Sequence, residues 1–262
     1  MKTPRYAVIL LLAGLTQVSC QRLPVPSPYF SMSRGELDGV LARFPKEVRE
    51  NVHGDPKGFL SLMKDVLKGP QDLLTVVDKT HGLGEAAPSD LVALSSYPIA
   101  VNKTWMSLRQ VVIPDLLEMS GAASSDGITL IVSSAYRSYK DQESLWANEL
   151  QTLPRDQVER ELAPPGFSQH QLGTVVDFAP IDVSFADTPA GLWLVSDSWR
   201  YGFTLSYPEG GEQYTGYIYE PWHFRWMGRP AAGIIHAFFR DNQKGFLDFY
   251  AANADFFRKR MK

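Results

Sequence analysis

The sequence has few cysteines, little net charge and no long hydrophobic run. Its single cysteine, Cys20, cannot form a disulfide within the chain, so a hydrophobic core must hold the fold together. The formal net charge is only −3, and no basic patch suggests nucleic-acid binding, so we expect no nucleic-acid partner. The apolar stretch near the N-terminus, Ala7 to Leu15, is too short for a transmembrane helix, which needs ~20 residues.

The first twenty residues have the layout of a secretory signal. Lys2 and Arg5 precede the apolar stretch, and small residues lead into Cys20. We therefore expect an exported protein, periplasmic or in the cell envelope, that is anchored to the membrane through a lipid on Cys20. The match to a lipoprotein signal is partial, because Gln17 stands where leucine is usual. Ordinary signal cleavage beside an incidental cysteine is the alternative.

The 262-residue chain is long enough for one substantial domain with an appendage, and changes in composition along it mark five segments. Alternating prolines after Cys20 predict an extended tether, and apolar residues at helical spacing follow it. Helices and strands are then mixed, with hairpin-like connections, which indicates an α+β fold rather than a doubly wound parallel sheet. The predicted divisions are a lipoprotein-type signal peptide (1–20), a proline-rich tether (21–32), a helical N-terminal region (33–90), a core (91–230) and a C-terminal helix (231–262).

Local patterns predict the elements of the core and its flanks. Apolar residues including Trp105 and Leu108 favour a helix over 102–119, in which Pro114 would introduce a kink, and the β-branched run at 128–132 favours a strand. Further helices are predicted over 140–150, 189–200 and 231–257, with strands over 203–207, 217–219 and 222–226.

Two short stretches, 167–177 and 219–223, carry the chemistry. They supply two imidazoles and a carboxylate, His170, His223 and Asp177, and three protein ligands leave one position of a tetrahedral zinc open for catalysis. Asp177 lies between apolar neighbours, where an unpaired carboxylate would be costly. Alternation with aromatic residues directs His223 to the opposite face of its strand. Glu220 precedes His223 by three residues, and a bend at Pro221 would bring both side chains to one site.

The joint pattern is specific. Ser168-x-His170-x-x-Gly173-x-x-x-Asp177, followed by Glu220-x-Trp222-His223, resembles the VanY-type zinc D-alanyl-D-alanine carboxypeptidases, which are similar in core to lysostaphin-like endopeptidases and hedgehog domains. The resemblance covers roughly residues 91–230. It implies a small antiparallel sheet that carries the zinc site and is flanked by helices, with a helical extension at the N-terminus.

The resemblance also implies roles for individual residues. His170, Asp177 and His223 would bind Zn2+, Glu220 would be the general base, and Arg137 would polarise the scissile carbonyl or hold the oxyanion. Ser168, Gln142 and Arg137 would bind the end of the peptide.

The implied function is removal of the terminal D-Ala from peptidoglycan stem peptides. Two alternatives stay open: an L,D-carboxypeptidase that acts on tetrapeptide stems, and a non-catalytic module that binds the cell wall. Glu220 and Arg137 argue against the module, because a binding site has no need of a base beside an open metal position.

Overall fold

The computed structural model describes Val25 and residues 27–262. The predicted signal peptide with Cys20, and residues 21–24 and 26 of the predicted tether, lie outside this part of the chain. No helix within it combines the length and the hydrophobicity needed to cross a bilayer.

Helices and short strands alternate along the described chain. The α-helices are α1 (Arg34–Leu41), α2 (Lys46–Gly54), α3 (Pro56–Lys68), α4 (Ile113–Ser125), α5 (Tyr139–Glu149), α6 (Arg155–Glu161), α7 (Pro189–Asp197), α8 (Glu212–Thr215), α9 (Arg229–Phe239) and α10 (Gln243–Arg258). The strands are β1 (Leu91–Ala93), β2 (Ser107–Arg109), β3 (Val132–Ser134), β4 (Val175–Phe178), β5 (Phe203–Leu205) and β6 (His223–Trp226).

The N-terminal ends of several helices are fixed by side-chain caps. Ser33 and Glu36 form a reciprocal capping box at α1, and Ser138 forms another with Asp141 at α5. Asp55 accepts a hydrogen bond from the Gly58 amide at the start of α3, which places Pro56 in the first turn. These caps satisfy amide groups that a helix cannot pair internally, and they explain why the helices begin where they do.

The helices at the two ends of the chain share one core. Helix α9 packs against α2, α3 and α10. Phe59 of α3 is fully buried, and its ring lies edge-on to Phe238 and Phe249 with centroids 5.4 and 5.9 Å apart. The main-chain amide of Ser31 donates to the Arg260 carbonyl at 2.8 Å. The N-terminal helical region and the C-terminal helices therefore form one unit.

The central sheet is antiparallel with the strand order β3-β4-β6-β5. Val176 and Phe224 are paired in register and contribute to a second core under one face of the sheet, together with β5 and α4. Because side chains alternate along a strand, the next pair, Asp177 and His223, lies on the opposite face. The sheet thus brings two of the predicted metal ligands side by side.

Four predicted elements differ from the structure. Of the predicted strand 128–132 only the last residue is in a strand, because β3 spans Val132–Ser134 and residues 128–131 connect α4 to it outside any strand. In the predicted helix 102–119, residues 107–109 form β2, and α4 begins at Ile113 with Pro114 in its first turn, a position that suits proline. Trp105, which was expected on an apolar helix face, is 73% exposed. Residues 217–219 form no strand, and the single C-terminal helix is broken at Arg240 and Asp241.

The helices of the N-terminal region end at Lys68, earlier than the prediction for 33–90. A 3-10 turn (Gln71–Leu74) follows, and residues 75–90, here called the strap, run without a helix to β1. The strap lies along the first predicted metal stretch: the Leu83 amide donates to the Gly166 carbonyl at 2.7 Å, and the Gln171 side chain donates to the carbonyls of Gly84 and Ala86. These hydrogen bonds hold the strap against the stretch that carries His170 and Asp177.

Candidate metal centre

Three buried side chains from three elements meet on the polar face of the sheet. His170 lies in a 3-10 turn (Gln169–Leu172), Asp177 in β4 and His223 in β6. His170 Nε2 is 3.1 Å from Asp177 Oδ2, and His223 Nδ1 is 3.1 Å from Asp177 Oδ1. One possible ligand atom from each residue lies within 4.8 Å of the others. The structure thus brings together the three residues predicted to bind zinc.

The 3-10 turn that carries His170 is capped by Ser168 at its start and by Gly173 at its end. The Ser168 hydroxyl accepts a hydrogen bond from the His170 amide at 3.3 Å. Gly173 ends the turn with a φ of 68°, and a Cβ there would lie 2.9 Å from Arg109 Cγ. Glycine is required on both counts, because the left-handed conformation and the close contact each disfavour a side chain.

The donor set fits a divalent metal. His170 Nδ1 lies 2.6 Å from the Ala135 carbonyl, which can only accept a hydrogen bond, so the lone pair is left on Nε2 beside Asp177. The buried Asp177 Oδ1 accepts no well-directed hydrogen bond from any described residue. A bound cation would compensate the free-energy cost of burying this oxygen without a hydrogen-bond donor. Burial alone would raise the pKa of Asp177, but the two histidines outweigh it and hold that pKa below its usual value.

Glu220 reaches the same site through a turn. The His223 amide donates to the Glu220 carbonyl at 3.1 Å, and the Glu220 carboxylate lies 3.3 Å from His223 Nδ1. The bend expected at Pro221 is therefore present. Burial raises the pKa of Glu220 to about 7, although His223 and Arg137 oppose the rise. A carboxylate that exchanges a proton near neutral pH is suited to general acid–base chemistry.

Arg137 lines the same pocket, and its guanidinium is held by two hydrogen bonds. Its guanidinium donates to Gln142 Oε1 at 2.8 Å and to the Ser134 hydroxyl at 3.3 Å. Burial lowers the pKa of Arg137, and the carboxylates of Asp177 and Glu220 counteract this. Gln142 is fully buried and also donates to the Ala163 carbonyl at 2.6 Å. The structure therefore places Gln142 behind Arg137 rather than in the pocket where it was expected to meet the peptide.

The pocket over the candidate centre has a volume of about 150 Å³. Ser168 and Arg137 line it, as expected for residues that contact a substrate. Tyr217 and Glu161, which no motif singles out, line the pocket as well. The buried hydroxyl of Tyr217 has no hydrogen-bond partner in the described part of the chain, so it is available to a bound molecule. Both residues lie outside the motifs, and no periodic pattern marks them.

Comparison with known proteins agrees with this geometry. The model of the VanY family, described as D-alanyl-D-alanine carboxypeptidase, matches residues 106–229. These residues form a VanY-family domain. YodJ of Bacillus subtilis (strain 168) is 32% identical over 181 residues, which cover 65% of this chain and 66% of YodJ. The chain spans between about half and two thirds of the length of the curated relatives it matches.

Two solved structures share the VanY-family fold. The LdcB LD-carboxypeptidase superimposes with a TM-score of 0.62 at 29% identity, covering 67% of this chain and 86% of LdcB. A variant of the vancomycin resistance D,D-pentapeptidase VanY, in complex with Zn(II), superimposes with a TM-score of 0.55 at 26% identity, covering 67% and 99%. The predicted α+β fold and the predicted family are both confirmed.

Proposed function

We propose that the protein is a zinc-dependent D-alanyl-D-alanine carboxypeptidase that removes the terminal D-Ala from peptidoglycan stem peptides. One observation supports this above all: the group formed by His170, Asp177 and His223 shares a pocket with Glu220, inside a VanY-family domain. A purely structural metal site would be closed by a fourth protein ligand and would not need an adjacent carboxylate with a raised pKa.

Each side chain then has a distinct task. His170, Asp177 and His223 would hold the zinc ion, which supplies the Lewis acidity that activates water and polarises the scissile carbonyl. Glu220 accepts the proton of the attacking water and returns it to the amine of the leaving D-Ala. Arg137, already oriented by Gln142, donates hydrogen bonds to the carbonyl oxygen as negative charge develops there.

Substitution of Glu220 tests the proposal. Glu220→Gln keeps the size of the side chain but cannot accept a proton, so D-Ala release from a pentapeptide should fall by a factor on the order of 10²–10⁴ while zinc content and peptide binding persist. His170→Ala, by contrast, should lose zinc and activity together. Glu143→Gln, an exposed change on α5, is the matched control and should behave as the parent.

Three outcomes would contradict these assignments. Zinc loss in Glu220→Gln would make that carboxylate a ligand. Full activity of the parent after chelation would exclude the zinc mechanism. Binding of stem peptides by the parent without release of any amino acid would favour a non-catalytic wall-binding module.

An L,D-carboxypeptidase acting on tetrapeptide stems is the second candidate. The similarity to the LdcB LD-carboxypeptidase favours it, because that structure superimposes at least as well as the D,D-pentapeptidase VanY. The two candidates share the metal centre, so incubation of the zinc-loaded protein with both stem lengths, followed by mass spectrometry, separates them. Release of D-Ala from tetrapeptides alone would replace the first proposal with the second.

We also propose that the protein is exported and anchored by a lipid on Cys20. The support is the signal-like sequence before that residue. Cys20→Ser should move the protein from the membrane fraction to the soluble exported fraction and abolish incorporation of labelled fatty acid. Membrane association that survives the substitution would refute the anchor.

A further inference from the structure

A chain of buried polar side chains connects the C-terminal helix α10 to His223. It consists of Gln243, the first residue of α10, Ser206, just after β5, and Gln169, which stands between Ser168 and His170. All three side chains are buried. Buried polar groups are normally paired, and here they are paired with one another in series. The series ends at one of the candidate metal ligands.

The contacts of Gln243 determine which groups donate and which accept along this series. Gln243 Nε2 lies 3.2 Å from the Thr204 carbonyl oxygen, which can only accept, so the nitrogen side of the amide must face it. The second proton of the same nitrogen is shared between the Thr204 hydroxyl at 2.9 Å and the Ser206 hydroxyl at 3.1 Å. The Ser206 hydroxyl has one proton, and its shorter contact as a donor is 2.8 Å to Gln169 Oε1, against 3.3 Å to Gln243 Oε1.

The other end of the series meets the imidazole of His223. Gln169 Oε1 lies 3.4 Å from His223 Nε2, while Gln169 Nε2 faces the Val77 carbonyl of the strap at 3.5 Å. An amide oxygen accepts and cannot donate, so it favours a proton on Nε2 of His223. The lone pair then resides on Nδ1, the atom that lies 3.1 Å from Asp177.

We propose that Gln243 acts through Ser206 and Gln169 as a positioning residue that holds His223 with its proton on Nε2 and Nδ1 free for the metal. Gln243 lies outside the residues that match the VanY family, so the C-terminal helices contribute to the metal centre of this chain. The inference rests on the proposed metal centre but not on the identity of the substrate.

The two histidines differ in how they are oriented. His170 relies on a main-chain acceptor, the Ala135 carbonyl, which side-chain substitution does not remove. His223 relies on a series of side chains that can be interrupted one at a time. The orientation of His223 is therefore open to a direct test, with His170 as an internal reference.

The test is zinc affinity, measured by competition with a chromophoric chelator. Gln169→Leu removes the acceptor and should weaken zinc binding by about 10- to 100-fold, the usual effect of losing an outer partner of a ligating histidine. Gln243→Leu should weaken it by an amount between the parent and Gln169→Leu. Ala251→Ser, an exposed change on the same helix and distant from the series along it, should leave the affinity unchanged.

A second measurement needs no substitution. In the zinc-loaded parent, ¹⁵N NMR of the imidazoles should show a protonated Nε2 and a metal-bound Nδ1 on His223, with the reverse arrangement on His170. Metal on Nε2 of His223 would overturn the proposal, as would folded Gln169→Leu and Gln243→Leu variants that bind zinc as tightly as the parent.

Two further results test the role of Gln243 separately from that of Gln169. A loss of affinity in Gln169→Leu alone would remove Gln243 from the series. If Gln243→Leu does not fold, Ser206→Ala interrupts the series between the two amides, and unchanged zinc affinity in that variant would also refute the link. None of these readouts uses D-Ala release, so failure of the proposed carboxypeptidase activity would be seen separately.

Discussion

At the scale of single residues, the orientation of the Arg137 guanidinium depends on the buried side chain of Gln142. An arginine side chain loses considerable conformational entropy when it is fixed against a substrate. A buried partner that already orients the side chain makes this entropy loss on binding smaller. Gln142 is that partner, since its amide oxygen accepts from the guanidinium while its amide nitrogen is held by the Ala163 carbonyl. We therefore expect Gln142 to affect catalysis by orienting Arg137 rather than by contacting the peptide.

Gln142→Met tests this role. The substitution removes one of the two acceptors of the Arg137 guanidinium and the donor to the Ala163 carbonyl, so the free energy of unfolding should fall by about 1–3 kcal/mol. We expect kcat/KM for D-Ala release to fall about tenfold, equivalent to ~1.4 kcal/mol, with unchanged zinc content. Ser144→Ala on the same helix serves as control. An unchanged kcat/KM in folded Gln142→Met would show that Arg137 needs no support.

The sequence could identify the residues whose role depends on local spacing. His170, Asp177, Glu220 and His223 stand in short motifs, and the alternation around His223 correctly gives the face of its strand. Gln243 could not be found in this way, because its partner Ser206 is 37 residues distant along the chain. Such a pair becomes visible only when the tertiary structure brings the residues together.

At the scale of elements, the break between α9 and α10 is made without glycine. Arg240 and Asp241 both adopt positive φ angles, 53° and 59°. A left-handed residue commonly ends a helix, but glycine is usual there because a side chain makes the conformation unfavourable. This explains why the sequence predicted one continuous helix over 231–257: neither glycine nor proline marks the break.

Arg240→Gly should therefore stabilise the protein. Glycine removes the steric cost of the left-handed conformation, and we expect the free energy of unfolding to rise by up to about 1 kcal/mol after its greater entropy in the unfolded chain is subtracted. Ala252→Gly, in the exposed interior of α10, is the opposite control and should cost about 1 kcal/mol. Chemical denaturation measures both, and destabilisation by Arg240→Gly would contradict the argument.

The prediction for 102–119 failed for a different reason. Its apolar residues satisfy helical spacing, yet Leu108 is buried from strand β2, which pairs with β1, and the helix begins only at Ile113. Periodicity identifies which side chains are buried more reliably than it identifies the element that buries them. The pairing partner, β1, lies at the end of the strap, and no local signal in 102–119 refers to it.

At the scale of the whole molecule, an ion pair joins the two ends of the described chain. The Arg260 guanidinium lies 2.6 Å from the Glu36 carboxylate of α1. The Ser33 main-chain amide and Arg260 together lower the pKa of Glu36 to about 2 from its ordinary 4.5. A carboxyl with a depressed pKa stabilises the fold above its unfolded pKa, and it loses this contribution as the pH falls.

Glu36→Gln tests this linkage. The parent should be more stable than the variant above pH 4.5, and the difference should disappear as the pH falls from 4.5 through about 2, where the Glu36 carboxylate becomes protonated in the folded protein. Denaturation curves of both proteins across this range give the difference directly. A difference that is constant with pH would show that Glu36 contributes no charge-dependent stability.

The shared core of the terminal helices has a consequence for the order of folding. Glu36 and Arg260 are 224 residues apart, and Phe59 packs on Phe238 and Phe249 from the other end of the chain. Long-range contacts of this kind must overcome a large loop-closure entropy and form slowly. During synthesis, the first three helices therefore emerge with an exposed apolar face that remains uncovered until α9 and α10 have been synthesised. A chain that ends before Arg229 would lack both covering helices, so such truncated products should be recognised and degraded.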